Sequence, residues 1–196
     1  MKSLFFATRS KNKIENMEYR LQGLDIKLIT PYDINIDLDI NENGKTVTEN
    51  ALLKAKAYYE KTNIPTIAGD SALFVEKFNK QPGLFVKRVN GKELDDDELE
   101  NYYIQELKKV GGQSTAFYIT GLAFIKDNKE HVQEIKEKSF IFKADRYKGK
   151  KSNDPLGRLE YDENINKYFC EMNENDKKER NSYFDKGCVR FILNNI

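Results

Sequence analysis

Short apolar runs alternate with an amphipathic segment at the start of the chain. Ser3–Ala7 is an apolar run that predicts a buried strand, and Ile26–Ile29 predicts a second one. Between them, apolar residues recur at helical spacing, which predicts a helix from near Lys13 to near Gly23. A strand, a helix and a strand in this order favour a parallel α/β sheet.

A second helix and two short strands follow. Thr48 is the predicted N-cap, and the apolar side chains behind it recur at the spacing of one helix face. Pro65–Ala68 and Leu73–Val75 predict two short strands. Asp70 would then lie at the carboxyl end of the first of these strands.

The second half of the chain continues the mixed pattern. Glu93–Val110 predicts an amphipathic helix, and Phe117–Phe124 with Val132–Phe142 predicts a hairpin that turns at residues 127–128. The segment 148–174 has no clear pattern, and residues 189–193 predict a closing helix. We expect an elongated α/β fold: a mixed sheet flanked by helices, with two lobes and a central cleft, in a single domain spanning residues 1–196.

Composition narrows the classes of function. Lysine and arginine nearly balance aspartate and glutamate at a net charge of +1, which argues against nucleic acid or an anionic membrane as a partner. Two cysteines and one histidine, His131, disfavour a histidine-based metal site and a Ser-His triad. No segment is typical of a signal peptide or a membrane span, so we expect a cytoplasmic protein.

The loop Thr8–Lys13 is the first candidate site. It joins a predicted strand to a predicted helix, where free backbone N–H groups and the helix dipole attract anions, phosphate above all. Thr8 and Ser10 add hydroxyl donors, and Lys13 adds a cation. The loop lacks the glycines of a Walker motif, so an ordinary polar loop is the alternative.

The segment Glu42–Ala55 is the second candidate. It places acids and a lysine around a helix start: Glu42 lies before the helix, and Lys54 lies beyond its first turn. Glu42 could reach a metal, and Lys54 could point along a cleft. A capped surface helix with solvated charges is the alternative.

Asp70 is the third candidate, because it stands between two segments that both look buried. A carboxylate removed from water needs a cation, a hydrogen-bond donor or a proton. One interpretation is a site acid that binds a hard cation such as Mg²⁺ or takes a proton from water. The other is a structural acid that caps the following turn.

Together these three segments resemble the inosine triphosphate pyrophosphatase family. The family's T-G-N-x-x-K loop corresponds to Thr8–Lys13, with Thr and Lys kept. Its motif E-x-G-x-T-x-x-E-N-A-x-x-K-A is matched by Glu42, Gly44, Thr46, Glu49, Asn50, Ala51, Lys54 and Ala55. Its A-D-D-S-G-L segment corresponds to Ala68–Leu73, where Gly69 replaces the first acid, and its S-H-R-x-x-A segment falls on residues 181–187 without the His-Arg pair.

The resemblance implies a Mg²⁺-dependent pyrophosphatase that converts non-standard purine triphosphates such as ITP, dITP and XTP to monophosphates. It implies Asp70 as the catalytic base, Glu42 and Asp70 as metal ligands, and a homodimer. The substrate-binding residues that it implies are Thr8, Ser10, Lys13, Lys54, Ser71, Tyr161, Asp162 and Lys177. The resemblance also implies that the cleft between the lobes is a nucleotide cleft. The family's base-stacking F-G-Y-D-P segment falls on Leu159–Asp162 or on Ser152–Pro155, and Leu159 and Tyr161 are the expected base pocket.

Three alternatives remain open at the level of sequence. One is a nucleotide-binding module that has lost turnover, and another is a hydrolase of a different modified nucleotide. The third is a structural or partner-binding α/β protein, which predicts no thermal shift with any Mg²⁺-nucleotide.

Overall fold

The computed structural model describes residues 1–196, which form two compact units. Unit 1 comprises residues 1–71, 120–135 and 184–196, and unit 2 comprises residues 72–119 and 136–183. The helices are α1 (Lys11–Leu21), α2 (Val47–Thr62), α3 (Asp96–Lys109) and α4 (Glu174–Asn195). The strands are β1 (Lys2–Phe6), β2 (Ile26–Ile29), β3 (Thr66–Val75), β4 (Gln81–Gly83), β5 (Arg88–Val89), β6 (Lys92–Glu93), β7 (Gln113–Lys126), β8 (Lys129–Lys136), β9 (Phe140–Lys143), β10 (Glu160–Asp162) and β11 (Lys167–Tyr168).

Unit 1 is built on a sheet whose first strands are parallel. Strand β1 pairs with β2 on one side and with β3 on the other, both in parallel. Strand β7 lies next to β3, and β8 pairs with β7. The predicted strand–helix–strand opening is therefore confirmed, although α1 begins at Lys11, two residues earlier than expected, because Ser10 caps it.

Helices cover both faces of this sheet. Successive strand side chains point to opposite faces, so each strand feeds two apolar layers. One layer packs α2 against the sheet through Phe5, Ala51, Ala55, Tyr58 and Ala68. The other packs α1 and the end of α4 through Leu4, Phe6, Met17, Leu21, Ile67, Phe191 and Ile192. Full burial of each large apolar side chain contributes roughly 1.5–3 kcal/mol, so these layers fix the helices on the sheet.

The start of α2 lies directly on strand β7. A Cβ at Gly121 would lie 2.5 Å from the carbonyl carbon of Val47 and 2.6 Å from the nitrogen of Thr48. Only glycine allows this approach of two backbones. The predicted N-cap at Thr48 is wrong, because Thr46 caps the helix and accepts from the backbone N–H of Glu49 at 3.1 Å.

Strand β3 corrects the prediction of two short strands. Thr66–Val75 is one continuous strand, and Asp70 lies in its middle rather than at a carboxyl end. The Gly-Asp-Ser composition suggested a turn, but the strand is held by neighbours on both sides. The alternative of an acid that caps a turn is overturned as well.

Unit 2 is mainly antiparallel. Strand β9 pairs with β7, β10 with β9, and β11 with β10, while β4 pairs with β3. Helix α3 buries Leu99, Tyr103 and Leu107 in the core of this unit. It begins at Asp96 rather than near residue 93, because Asp95 and Glu98 form a capping box and Lys92–Glu93 pairs as strand β6.

The rest of the chain confirms some boundaries and changes others. The turn at Asp127 and Asn128 is confirmed, and both residues have the positive φ that tight hairpins favour. The predicted strand 132–142 is divided between β8 and β9, the segment 148–174 contains β10 and β11, and the closing helix begins much earlier, at Glu174. The expected mixed sheet flanked by helices is confirmed. None of the four helices has the length and apolar character needed to cross a membrane.

Candidate functional site

Asp70 lies on a buried strand with both carboxylate oxygens engaged. Its Oδ1 lies 3.0 Å from Nζ of Lys54, and its Oδ2 accepts from Nδ2 of Asn50 at 3.1 Å. The Asp70 side chain is 18% exposed and that of Lys54 is 13% exposed. A cation and an amide donor offset the desolvation of this carboxylate, which explains why an acid stands between two buried segments.

Helix α2 provides both partners of Asp70. Asn50 and Lys54 are four residues apart, so they lie one above the other on the same helix face. This face contacts strand β3 through Asp70, while the start of the helix lies against Gly121 of the neighbouring strand β7. Asn50 was not among the predicted site residues, although it belongs to the motif that carries the family resemblance.

Glu42 joins the same cluster from the loop before α2. Its Oε2 lies 2.8 Å from Nζ of Lys54, so two carboxylates contact one ammonium group. No group of three histidine, cysteine, aspartate or glutamate side chains is arranged to hold a metal. Mg²⁺ is usually held by one or two carboxylates together with substrate phosphates, so Glu42 and Asp70 fit a site of that kind.

The β1–α1 loop contains the predicted phosphate-binding residues. Ser10 caps α1, since its Oγ accepts from the backbone N–H of Lys13 at 3.4 Å. Thr8 Oγ1 accepts from the backbone N–H of Ser10 at 3.2 Å. Nζ of Lys13 lies 3.5 Å from the carbonyl oxygen of Gly69, the residue before Asp70. Lys13, in the first turn of α1, thus contacts strand β3 one residue before Asp70.

Ser71 lies on the opposite face of strand β3 from Asp70. Its hydroxyl lies 2.8 Å from Oγ1 of Thr120 on the neighbouring strand. Neighbouring residues of a strand point to opposite faces, so the structure groups Asp70 with Glu42 and Lys54 but does not bring Ser71 to that cluster.

The remaining predicted substrate residues lie in unit 2. Nζ of Lys143 lies 3.3 Å from the ring centroid of Tyr161, on β10. Nζ of Lys177 lies 5.5 Å from the ring centroid of Phe169. These side chains are partly exposed.

Asp162 is buried, and it forms hydrogen bonds and an ion pair with other residues of unit 2. It accepts from the backbone N–H groups of Asn164 and Ile165, and Nζ of Lys138 lies 3.0 Å away. Burial opposes its ionisation, but Lys138 and the two amides outweigh burial and hold the pKa of Asp162 below its usual value. These contacts close the turn between β10 and β11.

Leu159 corrects the expected base pocket. It is fully buried in the apolar core of unit 2, where it packs with Leu156 and Phe142. A side chain without solvent exposure offers no surface to a base. The expectation that Leu159 lines a base pocket is therefore wrong.

A buried ionic network in unit 2 was not predicted. Arg180 of α4 donates to Oε2 of Glu160 at 2.7 Å, and Tyr118 donates to Oε1 of the same carboxylate at 2.9 Å. The guanidinium of Arg180 also lies 4.8 Å from the ring of Phe169 and 5.4 Å from that of Phe140. The order of residues along α4 gives no indication of this arrangement, because the partners come from β7, β9 and β10.

Asp154 faces this network and gives unit 2 a pH-dependent stability. Burial raises the pKa of Asp154 from 3.8 to about 7, and the negative charges of Glu160 and Glu137 act in the same direction. The positive charge of Arg180 opposes this rise but does not cancel it. Between these two pKa values the folded state holds a proton that the unfolded state releases. The free energy of unfolding should therefore fall as the pH rises from about 4 to about 7.

The Asp154→Asn variant tests this dependence. The neutral amide imitates the protonated carboxyl, so the variant should lose less stability than wild type between about pH 4 and about pH 7 in urea titrations. Asp145→Asn, at an exposed position of the same unit, is the control. Equal pH slopes for Asp154→Asn and wild type would contradict the prediction.

The comparisons with known proteins agree with one another. A sequence model described as the Ham1 family matches residues 4–184. A dITP/XTP pyrophosphatase of Leptospira interrogans is 33% identical over 130 residues, which cover 66% of this chain and 65% of that protein, less than two thirds of its length. A dITP/XTP pyrophosphatase of Thermoanaerobacter pseudethanolicus is 29% identical over 177 residues, which cover 90% of this chain and 88% of that protein.

A solved structure matches the whole chain. The structure of a HAM1 protein from Coxiella burnetii superposes with a TM-score of 0.82 at 21% identity, covering 99% of this chain and all of that one. At this identity the match shows a common fold.

Proposed function

The chain belongs to the Ham1 family, and from this premise we propose that it is a nucleoside triphosphate pyrophosphatase. Its substrates would be non-standard purine triphosphates such as ITP, dITP and XTP, and its products a nucleoside monophosphate and pyrophosphate. The observation that carries the proposal is the cluster in which Glu42 and Asp70 both contact Lys54. The printed names of the relatives, dITP/XTP pyrophosphatase, support the choice of substrate.

Asp70 is the proposed general base. Its carboxylate takes a proton from the water that attacks the α-phosphorus, and the bond from that phosphorus to the bridging oxygen breaks as pyrophosphate leaves. Lys54 and Asn50 hold the carboxylate on both oxygens, so it keeps a fixed direction during the proton transfer. The proton then passes from Asp70 to solvent.

Glu42 and Asp70 would hold Mg²⁺. The bound cation would neutralise charge on the phosphate oxygens, which is the chemistry that a hard divalent ion supplies in phosphoryl transfer. Lys54 contacts both acids and would keep them close together before the cation and the substrate arrive.

Residues around the β1–α1 loop would bind the triphosphate. We propose that Thr8, Ser10, Lys13 and Lys54 contact its oxygens through hydroxyl, ammonium and helix-terminal N–H groups. Ser71 remains a proposed contact, although its hydroxyl is directed to Thr120. Tyr161, Asp162 and Lys177 remain proposed substrate contacts by resemblance to the family, with Tyr161 at the base.

The remaining expectations are proposals of the same kind. We propose a cytoplasmic homodimer of single-domain chains that acts on free nucleotides, with neither nucleic acid nor a membrane as a partner. The low net charge supports the last point.

Pyrophosphate release by the wild-type protein tests the function. The substrates are ITP, dITP, XTP, the four standard triphosphates and modified pyrimidine triphosphates, each with and without Mg²⁺. We expect release from ITP, dITP and XTP that requires Mg²⁺. No release from any triphosphate would overturn the proposal, and a preference for pyrimidines would overturn the choice of base.

A nucleotide-binding module without turnover is the second candidate. Gly69 stands where the family has its first acid, and Tyr183 and Phe184 stand near the position of its His-Arg pair. This candidate predicts that Mg²⁺-ITP raises the melting temperature while no pyrophosphate appears.

A further inference from the structure

Asn50 connects the loop that carries Glu42 to the acid Asp70. Its Oδ1 accepts from the backbone N–H of Gly44 at 2.8 Å, and its Nδ2 donates to Oδ2 of Asp70 at 3.1 Å. The residue is 5% exposed. Both ends of a buried carboxamide are therefore engaged, one on each side of the candidate site.

The direction of this carboxamide is fixed by Gly44. A backbone N–H can only donate, so the atom opposite Gly44 must be the carboxamide oxygen. The amino group then faces Asp70 as a donor. The reversed amide would place an oxygen against a carboxylate and an amino group against an N–H, and both contacts would be repulsive.

Gly44 also determines how closely the loop before α2 approaches Asn50. A Cβ at this position would lie 2.7 Å from Oδ1 and 2.9 Å from the backbone nitrogen of Asn50. The loop residue Glu42 is only two positions away. Asn50 therefore fixes the loop and the Asp70 carboxylate together, while Lys54, one turn further along α2, contacts both acids.

We propose that Asn50 is a positioning residue that orients the Asp70 carboxylate for catalysis, an inference that rests on the proposed pyrophosphatase function. Lys54 holds only Oδ1, so the amide of Asn50 is what prevents rotation of the carboxylate about its Cβ–Cγ bond. Without that donor, Oδ2 would point in a variable direction, and the position of the attacking water would vary with it.

The Asn50→Asp variant separates this role from a structural one. A carboxylate at position 50 still accepts from Gly44 but has no donor for Asp70. We expect kcat for pyrophosphate release to fall about 10- to 100-fold, the usual cost of losing such a supporting contact. KM should stay within about threefold, because the triphosphate contacts remain, but the melting temperature should fall by a few degrees, because the new carboxylate lies against that of Asp70.

Asn16→Asp is the matched control, because Asn16 is an exposed residue of α1 in the same unit and the substitution adds the same charge. A value of kcat for Asn50→Asp within about twofold of that for Asn16→Asp would overturn the inference. So would a kcat that returns to the Asn16→Asp value when both variants are measured well below the melting temperature of Asn50→Asp, because that result would assign Asn50 a structural role.

Metal binding provides a readout that does not depend on turnover. With a non-hydrolysable triphosphate analogue present, the Mg²⁺ concentration for half-maximal thermal stabilisation should rise about tenfold in Asn50→Ala, and should not change in Asn16→Ala. An unchanged Mg²⁺ dependence in Asn50→Ala would also overturn the inference. If the wild-type protein releases no pyrophosphate, the proposed function is overturned. If it does release pyrophosphate, the results for the Asn50 variants bear on the role of Asn50 alone.

Discussion

The Asp70→Asn variant is expected to lower kcat for pyrophosphate release by about a thousandfold, within the range of about 10²- to 10⁴-fold for the loss of a general base. The substitution keeps the shape of the side chain and removes its negative charge and its capacity to take a proton. It also removes one of the two carboxylates proposed to hold Mg²⁺. The measurement is steady-state pyrophosphate release from ITP at saturating Mg²⁺.

The control for this variant is Asp25→Asn, an exposed acid of the same unit that pairs with the chain's amino terminus. It should retain wild-type kcat, since exposed ion pairs contribute little. Thermal unfolding of both variants checks that the fold is kept. An Asp70→Asn variant with more than about a tenth of wild-type kcat would show that Asp70 is not the base.

The residues that form the cluster around Lys54 were predicted from the sequence, but the secondary structure around Asp70 was not. Glu42, Lys54 and Asp70 belong to motifs with long, specific spacings, and the structure brings the three side chains into contact. The prediction that Asp70 lies at the end of a short strand was wrong, because the turn-like residues 69–71 lie inside a ten-residue strand. Pairing with neighbouring strands overrides local turn propensity here, and no pattern in one segment reveals such pairing.

Two features of the site depend on contacts that a linear pattern does not contain. Ser71 adjoins Asp70 in sequence, yet the strand alternation turns it towards Thr120, 49 positions away. Asn50 is visible in the sequence as part of a motif, but its two hydrogen bonds depend on how closely Gly44 and Asp70 approach it.

The fold class and the family were predictable for a different reason. Apolar runs of strand length alternating with helical periodicity define a mixed α/β sheet, and the N-terminal motifs resemble those of inosine triphosphate pyrophosphatases. The match to the Ham1 family and the structural match at a TM-score of 0.82 confirm these two predictions. The assignment of Tyr161, Asp162 and Lys177 to the substrate stays a prediction.

The Arg180→Met variant is expected to lower the free energy of unfolding by about 3–5 kcal/mol, as removal of one partner from a buried ion pair usually does. Glu160 is 2% exposed and would keep only the hydroxyl of Tyr118 as a partner. Burial disfavours the charge of Arg180, but Glu160 outweighs burial and raises the pKa of the guanidinium. The contacts of the guanidinium with Phe140 and Phe169 would be lost as well.

Arg146→Met is the matched control in the same unit. Arg146 is 44% exposed and lies 3.5 Å from Glu100, whose carboxylate also pairs with Arg158 at 2.5 Å. Its removal leaves no buried charge without a partner, so we expect a loss of about 1 kcal/mol or less. Urea unfolding of the two variants measures the difference. Equal losses would mean that Glu160 finds another partner or takes up a proton, and that Arg180 does not hold the strands and helix of unit 2 together.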